Sequence, residues 1–191
     1  MKYYALKDEN NKLILNDWDE AKEVLKSLKK PIYKSFKTEE EALAFLNDEK
    51  IIVDDKIPTA YIDGSFDLKT ENYSFGGCLF IDGKMLKFKK KYLKDEYSSY
   101  RNVAGEIKGA AYIINYAIKN NIKELNLYYD YIGIENWYVG KWKANSKIAL
   151  AYVDFVNKNK DKIKINFYKI KSHTNNLYND LADELAKEAL K

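Results

Sequence analysis

Four acidic residues occupy positions where an acidic side chain is unusual. Asp63 lies in the otherwise apolar segment 60–65, and Asp130 closes an alternating apolar segment. Glu106 lies in the first turns of a segment with helical spacing, and Asp183 lies between two Leu-Ala pairs near the end of the chain. A carboxylate in an apolar strand loses hydration, which is costly unless a partner compensates its charge.

Bound Mg²⁺ would supply that compensation, because it takes hard oxygen ligands and is usually held by a few carboxylates together with substrate phosphate. Two such ions about 4 Å apart can activate a water and stabilise the leaving oxygen of a phosphodiester. Each residue also has an ordinary explanation. An Asp at a strand end often caps a turn, and a Glu in a first helical turn complements the helix dipole. Spacing alone leaves both interpretations open.

The second part of the chain alternates strand and helix patterns. Strands are predicted at 59–66, 75–81, 85–93, 124–130 and 163–170. Helices are predicted at 102–119, 131–140, 145–159 and 176–190. Asp82-Gly83 is a strong hairpin signal between the second and third strands. This order predicts an α/β fold, with a mixed five-stranded sheet flanked by helices.

A smaller unit precedes that fold. Its pattern predicts β-β-α-β-α, with strands at 3–7, 13–15 and 32–36 and with Asn16 or Asp17 capping the first helix. We therefore predict a domain at 1–47, a short acidic linker at 48–57 and a larger domain at 58–191.

Composition narrows the class of protein. The chain has 191 residues, of which 46% are hydrophobic and 32% charged, and no apolar run is long enough to span a membrane. Cys78 is the only cysteine, which excludes an internal disulfide and a cysteine-cluster zinc site. The default expectation is an intracellular, cytoplasmic protein.

Charge is divided unevenly between the two parts. Residues 1–57 carry 11 Lys and 13 Asp or Glu, whereas residues 58–191 carry 22 Lys or Arg and 16 Asp or Glu. The larger part, at a net +6, suits a polyanionic partner. Simple solubility is the alternative explanation of its charge.

Short motifs around all four carboxylates resemble those of ribonucleases H. They are Asp63-Gly64-Ser65 with Gly76-Gly77, Arg101 to Glu106, Tyr128 to Tyr131, and Ser172-His173-Thr174 with Asn179 to Ala186. The motifs are weak singly, but they follow in the family's order over residues 59–190. The resemblance implies the ribonuclease H-like fold and a cellular, type 1 ribonuclease H.

The resemblance also implies a role for each carboxylate in two-metal catalysis. Asp63 would bridge two Mg²⁺ ions, with Mn²⁺ as an alternative metal. Glu106 and Asp130 would share one ion, and Asp183 would bind the other.

Further residues take implied roles around these four. His173, the only histidine, would help proton transfer or product release, although a lone surface histidine is common. Asn102, four residues before Glu106, would contact the minor groove of the hybrid, where 2′-hydroxyls distinguish RNA from DNA. Ser65 and Asn179 would be secondary substrate contacts.

Residues 3–46 resemble the small hybrid-binding, or viroplasmin-like, domain that precedes many ribonucleases H. Trp18 and Tyr33 would stack on DNA sugars, and Lys34 would contact phosphate. The alternative is that both rings are simply core residues. The first turn, 8–12, is acidic where the family usually has a basic, glycine-containing turn.

Two departures concern the larger part. Asp180 stands where the family usually has Glu. Only 43 residues separate Asp130 from His173, which leaves no room for the longer basic handle of some members. Two groups of lysines are candidate phosphate contacts in place of that handle. The first is Lys87, Lys89, Lys90, Lys91 and Lys94, and the second is Lys141, Lys143 and Lys147.

The expected activity is endonucleolytic hydrolysis of the RNA strand of RNA–DNA hybrids, leaving 3′-hydroxyl and 5′-phosphate ends. Two alternatives stay open: a DNA-cutting nuclease of the same fold, and a non-catalytic hybrid-binding protein. Protein partners cannot be named from the sequence.

Overall fold

A computed structural model describes residues 2–8, 10–37, 39–47, 57–170 and 177–191. Contacts divide the chain into two compact units, Met1–Val53 and Asp54–Lys191. The predicted linker lies outside the described residues except for residue 57. Among the described residues, no helix combines the length and apolar character needed to cross a membrane.

The smaller unit has the predicted ββαβα order. Its elements are β1 (Tyr3–Lys7), β2 (Lys12–Leu15), α1 (Trp18–Ser27), β3 (Ile32–Phe36) and α2 (Glu39–Asn47). The strands form an antiparallel sheet in the order β2-β1-β3. Asp17 caps α1 by accepting a hydrogen bond from the Glu20 N–H. The helix ends at Ser27, before Pro31, because the next residue, Leu28, is already extended.

The larger unit contains five strands and four helices among its described residues. The strands are β4 (Thr59–Phe66), β5 (Tyr73–Ile81), β6 (Lys84–Tyr92), β7 (Glu124–Tyr129) and β8 (Lys164–Lys169). The helices are α3 (Asn102–Lys119), α4 (Gly133–Tyr138), α5 (Lys147–Asn157) and α6 (Leu177–Leu190). The predicted element order is confirmed, and two short 3₁₀ turns are additional.

The five strands form one mixed sheet in the order β6-β5-β4-β7-β8. β4 pairs antiparallel with β5 and parallel with β7, and β7 pairs parallel with β8. Asp82 and Gly83 both have positive φ, as a two-residue hairpin turn between β5 and β6 requires. The predicted α/β fold with a mixed five-stranded sheet is therefore correct.

Helices cover both faces of this sheet. α3 packs on β4 and β5 from one face, and α6 packs on β4, β5 and β6 from the other. The main core lies under α3 and α5, where alternate residues of β7, such as Leu125 and Leu127, are fully buried. The sheet thus holds both carboxylate-bearing helices against β4.

Some predicted bounds shift by a few residues. β5 begins at Tyr73 rather than Phe75, because Tyr73 pairs with both neighbouring strands and stacks at 5.0 Å on Tyr92. β7 ends at Tyr129, whose carbonyl accepts the final hydrogen bond from Ile170. α4 and α5 are shorter than predicted, since the segment between them forms turns up to the Ser146 cap of α5.

Candidate active site

Asp63 lies in β4, the central strand of the larger sheet. Its side chain is half-buried and accepts a 2.7 Å hydrogen bond from the Gly64 N–H. Burial, together with the negative charges of Asp183 and Asp130, raises the pKa of Asp63 to about 6 although the Gly64 hydrogen bond lowers it. The three carboxylates therefore lie close enough to repel one another.

Glu106 reaches this group because α3 approaches the sheet unusually closely. A Cβ on Gly105 would lie 1.9 Å from the carbonyl oxygen of Ser74, and a Cβ on Gly64 would lie 2.2 Å from that of Asn102. Real side chains cannot occupy such positions, so only glycine permits this contact between α3 and β4–β5.

Glu106 is buried, with 4% of the residue exposed. Burial, together with the negative charge of Asp63, raises the pKa of Glu106 to about 8. One hydrogen bond opposes this effect: the Tyr131 N–H donates to Glu106 Oε2 at 2.8 Å. The backbone turn after β7 thereby orients the carboxylate.

Asp130 and Asp183 approach from the other two elements. Asp130 directly follows β7, is half-buried, and raises the pKa of both Asp63 and Glu106. Asp183 lies on α6, which packs closely on β5 at Gly76. A Cβ there would lie 2.2 Å from the Ala186 nitrogen and 2.5 Å from the Ala182 carbonyl oxygen.

Lys187 was not predicted as a site residue, although it follows Asp183 by four residues on a predicted helix. Its ammonium lies 2.6 Å from Asp183 Oδ2, and its charge lowers the pKa of Asp63. Lys187 therefore brings positive charge to the site on the side of α6, and the charge of Lys169, next to β8 residue Tyr168, lowers the pKa of Glu106.

The four candidate metal ligands have the chemistry that a hard divalent cation prefers. All four candidate ligands are carboxylates, and two have pKa values raised by burial and mutual repulsion, which a bound cation would offset. Within the described residues, no three His, Cys, Asp or Glu side chains are already gathered around one ion position. A cation bound at Asp183 would compete with the Lys187 ammonium for that carboxylate.

Residues 55–191 match the sequence model of a family described as RNase H. The chain belongs to the ribonuclease H family. Residues 2–46 match a second family model, described as the ribonuclease H1 N-terminal domain. The resemblance noted in both parts of the sequence is thus confirmed.

One curated relative is a ribonuclease H of Chlorobium phaeobacteroides. It is 34% identical over 61 residues, which are 30% of this chain and 42% of that protein. The match therefore spans less than half the length of that relative.

Solved ribonuclease H structures share the fold of the larger unit. RNase H1 of the archaeon Halobacterium salinarum has a TM-score of 0.57 at 19% identity, covering 70% of this chain and 96% of that one. The RNase H domain of Mycobacterium tuberculosis rv2228c has a TM-score of 0.58 at 17% identity, covering 70% of this chain and 98% of that one. LC11-RNase H1, from compost, was solved with an RNA/DNA hybrid. Its TM-score is 0.54 at 14% identity, covering 70% of this chain and 99% of that one. These identities show the fold alone.

In the larger unit of this ribonuclease H-family chain, the other predicted site residues are near the carboxylates in sequence or outside the described part. Asn102 is exposed and begins α3, after Arg101, whose φ of 54° and ψ of −133° are unusual for a non-glycine residue. Ser65 follows Asp63 by two residues on β4, and Asn179 is buried in the first turn of α6. His173 lies outside the described residues.

The N-terminal aromatic residues form a surface group in the smaller unit. The Trp18 ring packs at a tilt against Tyr4, with centroids 5.1 Å apart, and against Tyr33, with centroids 5.8 Å apart. Trp18 and Tyr33 are 37% and 52% exposed. Neither ring is buried, so the alternative that both are core residues is wrong. Lys34 is half-buried beside Tyr33 in β3. Tyr4 was not predicted as part of this group.

Many of the candidate phosphate-binding lysines have acidic or carbonyl partners. Lys89 pairs with Glu188 at 2.9 Å, Lys147 with Glu96 at 2.8 Å, and Lys94 with Glu71. Lys91 donates to the Leu190 carbonyl at 2.8 Å. These contacts weaken the case for phosphate binding by the two predicted lysine groups.

Proposed function

We propose that this chain hydrolyses the RNA strand of RNA–DNA hybrids endonucleolytically, leaving 3′-hydroxyl and 5′-phosphate ends. The observation that carries the proposal is the electrostatic coupling of Asp63, Glu106, Asp130 and Asp183 at one end of the β4–β7 pair. Family membership supports the reaction class, and the hybrid complex of LC11-RNase H1 supports the choice of substrate.

The four carboxylates would hold two Mg²⁺ ions, or Mn²⁺, which activate the attacking water and stabilise the leaving oxygen. Asp63 would bridge the ions, Glu106 and Asp130 would share one, and Asp183 would bind the other. The chain's own groups prepare this arrangement. The Tyr131 N–H fixes Glu106, the Gly64 N–H fixes Asp63, and Lys187 occupies Asp183 until it is displaced.

Substrate recognition would come from residues around the carboxylates. Asn102 would reach the minor groove of the hybrid and its 2′-hydroxyls. Ser65 and Asn179 would be secondary contacts, and His173 would assist proton transfer or product release. In the smaller unit, Trp18 and Tyr33 would stack on the hybrid, and Lys34 would contact phosphate.

We also propose that the protein acts in the cytoplasm. Cys78 is buried, and burial raises the pKa of its thiol to about 12. The thiol therefore stays protonated and unreactive, as suits a protein with no disulfide to form.

Three labelled substrates of one sequence test the function directly: an RNA–DNA hybrid, duplex DNA and duplex RNA, each with Mg²⁺. The proposal predicts cleavage of the RNA strand in the hybrid alone, with 5′-phosphate product ends. Cleavage of duplex DNA would favour a DNA-cutting nuclease of the same fold. Binding of hybrid without cleavage at any Mg²⁺ or Mn²⁺ concentration would favour a non-catalytic binding protein.

A further inference from the structure

Three tyrosines form a continuous stack across the larger sheet. Tyr61, Tyr128 and Tyr168 lie opposite one another in the register of β4, β7 and β8. The ring centroids of Tyr61 and Tyr128 are 4.4 Å apart with planes at 13°, and those of Tyr128 and Tyr168 are 4.7 Å apart at 15°. The rings therefore present their faces to one another along the row.

The two ends of this tyrosine row differ. At the β4 end, Tyr178 of α6 packs against Tyr61 at 5.3 Å, and Phe80 contacts it edge-on at 6.3 Å. At the other end, Tyr168 lies on the edge strand β8 and is 43% exposed. An exposed aromatic face at the end of a stack is the natural position for one more planar ring.

The tyrosine row lies next to the catalytic carboxylates. Asp63 and Asp130 each follow a tyrosine of the row by two residues, which is about 7 Å along a strand. Side chains two residues apart in a strand share a face, so Asp63 and Tyr61 lie on the same face of β4. With strands about 4.8 Å apart, a ring stacked on Tyr168 would therefore lie on the same side of the sheet as Asp63, roughly 12 to 16 Å from the two carboxylates.

Charge around Tyr168 favours a polyanion. Residues 158–169 carry five lysines and a single acidic residue, Asp161. Where β8 begins, a groove of about 560 Å³ is lined by the lysines at 123, 160, 162 and 164 together with Tyr138, Asp161, Ile163 and Ile165. Lys164 pairs with Glu124, which leaves the other three lysines of the groove as the better phosphate contacts. Lys164 precedes Tyr168 by four residues, roughly 13 Å along the strand.

We propose that the Tyr168 end of the row binds an unpaired base of single-stranded nucleic acid, with phosphates further along the same strand in the lysine groove. Base stacking on an exposed aromatic ring beside a basic groove is the usual form of single-strand binding. Lysines along an edge strand discourage strand pairing with another protein chain, which makes a protein occupant a poor fit. The role of this site beside the cut rests on the proposed function, whereas the binding itself does not.

Binding of fluorescein-labelled ten-nucleotide oligo(dT) and oligo(rU) by the full chain in EDTA, followed by anisotropy, tests this site without catalysis. Tyr168→Ala is expected to weaken binding by about 5- to 100-fold, the loss typical of one stacked base. Tyr168→Trp should retain binding, whereas Tyr168→Leu, which keeps apolar area but no π-face, should lose it. A preference for one oligonucleotide assigns the site to the RNA or the DNA strand.

Tyr112→Ala is the matched control, because Tyr112 is 40% exposed and belongs to the same unit. It should bind as the unsubstituted chain does, and thermal unfolding should show that every variant is folded. Replacing Lys160 and Lys162 with Ala should flatten the dependence of log affinity on log salt by about 0.7 for each phosphate that the chain no longer neutralises.

Three results would overturn the inference: no binding by the unsubstituted chain, full binding by Tyr168→Leu, or an equal loss with Tyr112→Ala. The proposed function fails separately, through absence of hybrid cleavage by the unsubstituted chain in Mg²⁺. If the chain binds single strands through Tyr168 but cleaves no substrate, the binding site is supported and the proposed enzymatic function is contradicted.

Discussion

Raised pKa values set Asp63 and Glu106 apart from the other acidic residues that the structure describes. Their pKa values rise to about 6 and about 8 because each loses water and lies near other carboxylates. Ionisation of these two carboxyl groups therefore destabilises the metal-free protein, a cost that a bound cation would offset. Lys187 neutralises part of this charge, but only on the side of Asp183.

Glu106→Gln should therefore stabilise the metal-free protein at alkaline pH. The folded-state pKa of Glu106 lies above its unfolded value of 4.5, so its favourable contribution is complete below pH 4.5 and lost as pH rises through about 8. In EDTA at pH 8.5, we expect the variant to melt a few degrees higher than the unsubstituted chain. At pH 5 the two melting temperatures should nearly coincide.

Mg²⁺ provides the control for that comparison. It should raise the melting temperature of the unsubstituted chain at pH 8.5 and raise that of Glu106→Gln much less. A variant less stable than the unsubstituted chain in EDTA at pH 8.5 would show that the Glu106 charge is already compensated.

Lys187→Met should tighten Mg²⁺ binding, because the ion no longer competes with the ammonium for Asp183. The pair is partly exposed, so the expected gain is small, about two- to fivefold in Kd by calorimetry. Lys89→Met is a suitable control, since Lys89 pairs with Glu188 on the same helix. Unchanged or weaker Mg²⁺ binding by Lys187→Met would contradict competition at Asp183.

Glycines determine how the elements bring the four carboxylates together. Gly105 and Gly64 allow α3 to touch the sheet, and Gly76 allows α6 to touch it from the other face. The helices carry Glu106 and Asp183, so the spacing of the site depends on these two backbone contacts rather than on long side chains.

Gly105→Ala should destabilise the larger unit by about 1–3 kcal/mol and reduce hybrid cleavage, because its methyl group meets backbone that cannot move alone. Gly109→Ala on the same helix is the control. Its methyl group would lie 3.1 Å from the Phe75 Cβ, a tight contact that a small shift relieves. Urea unfolding and cleavage assays on both variants measure the difference. Equal stability of the two variants would contradict the close-packing explanation.

The sequence patterns predict much of this element structure. The ends of Thr59–Phe66 and Asn102–Lys119 match the prediction, because strand alternation, the helical apolar stripe and their boundaries all agree. Ends that depend on tertiary pairing are less predictable. β7 stops at Tyr129 where its hydrogen bonding with Ile170 ends, a register that periodicity cannot supply.

The candidate site was predictable to a similar extent. Motifs identified the four carboxylates, but the Tyr131 N–H contact to Glu106 depends on the backbone turn after β7. The tyrosine row depends on strand register, which places Tyr61, Tyr128 and Tyr168 in line. Neither feature leaves a local signal in the sequence.

At the scale of the whole molecule, the two units differ in net charge, and both expose aromatic rings. The smaller, acidic part exposes Trp18 and Tyr33, while the larger, basic part carries the carboxylates. Stacking rather than charge should therefore dominate any contribution of the smaller unit to hybrid binding.

Removing residues 1–54 should weaken binding of the hybrid but change its salt dependence little. If Lys34 contacts one phosphate, the slope of log affinity against log salt should become shallower by about 0.9. Trp18→Ala with Tyr33→Ala in the full chain should reproduce the loss of affinity without the change in slope. Unchanged affinity after truncation would assign the smaller unit another role.

The central claim is that the carboxylate cluster binds the metal ions that cut RNA in a hybrid. Its most direct test is a Mg²⁺ titration of hybrid cleavage by the unsubstituted chain and by Asp130→Asn, with hybrid binding measured in parallel. We predict that Asp130→Asn folds and binds hybrid as the unsubstituted chain does but loses cleavage at every Mg²⁺ concentration. Undiminished cleavage by Asp130→Asn would contradict the proposed site.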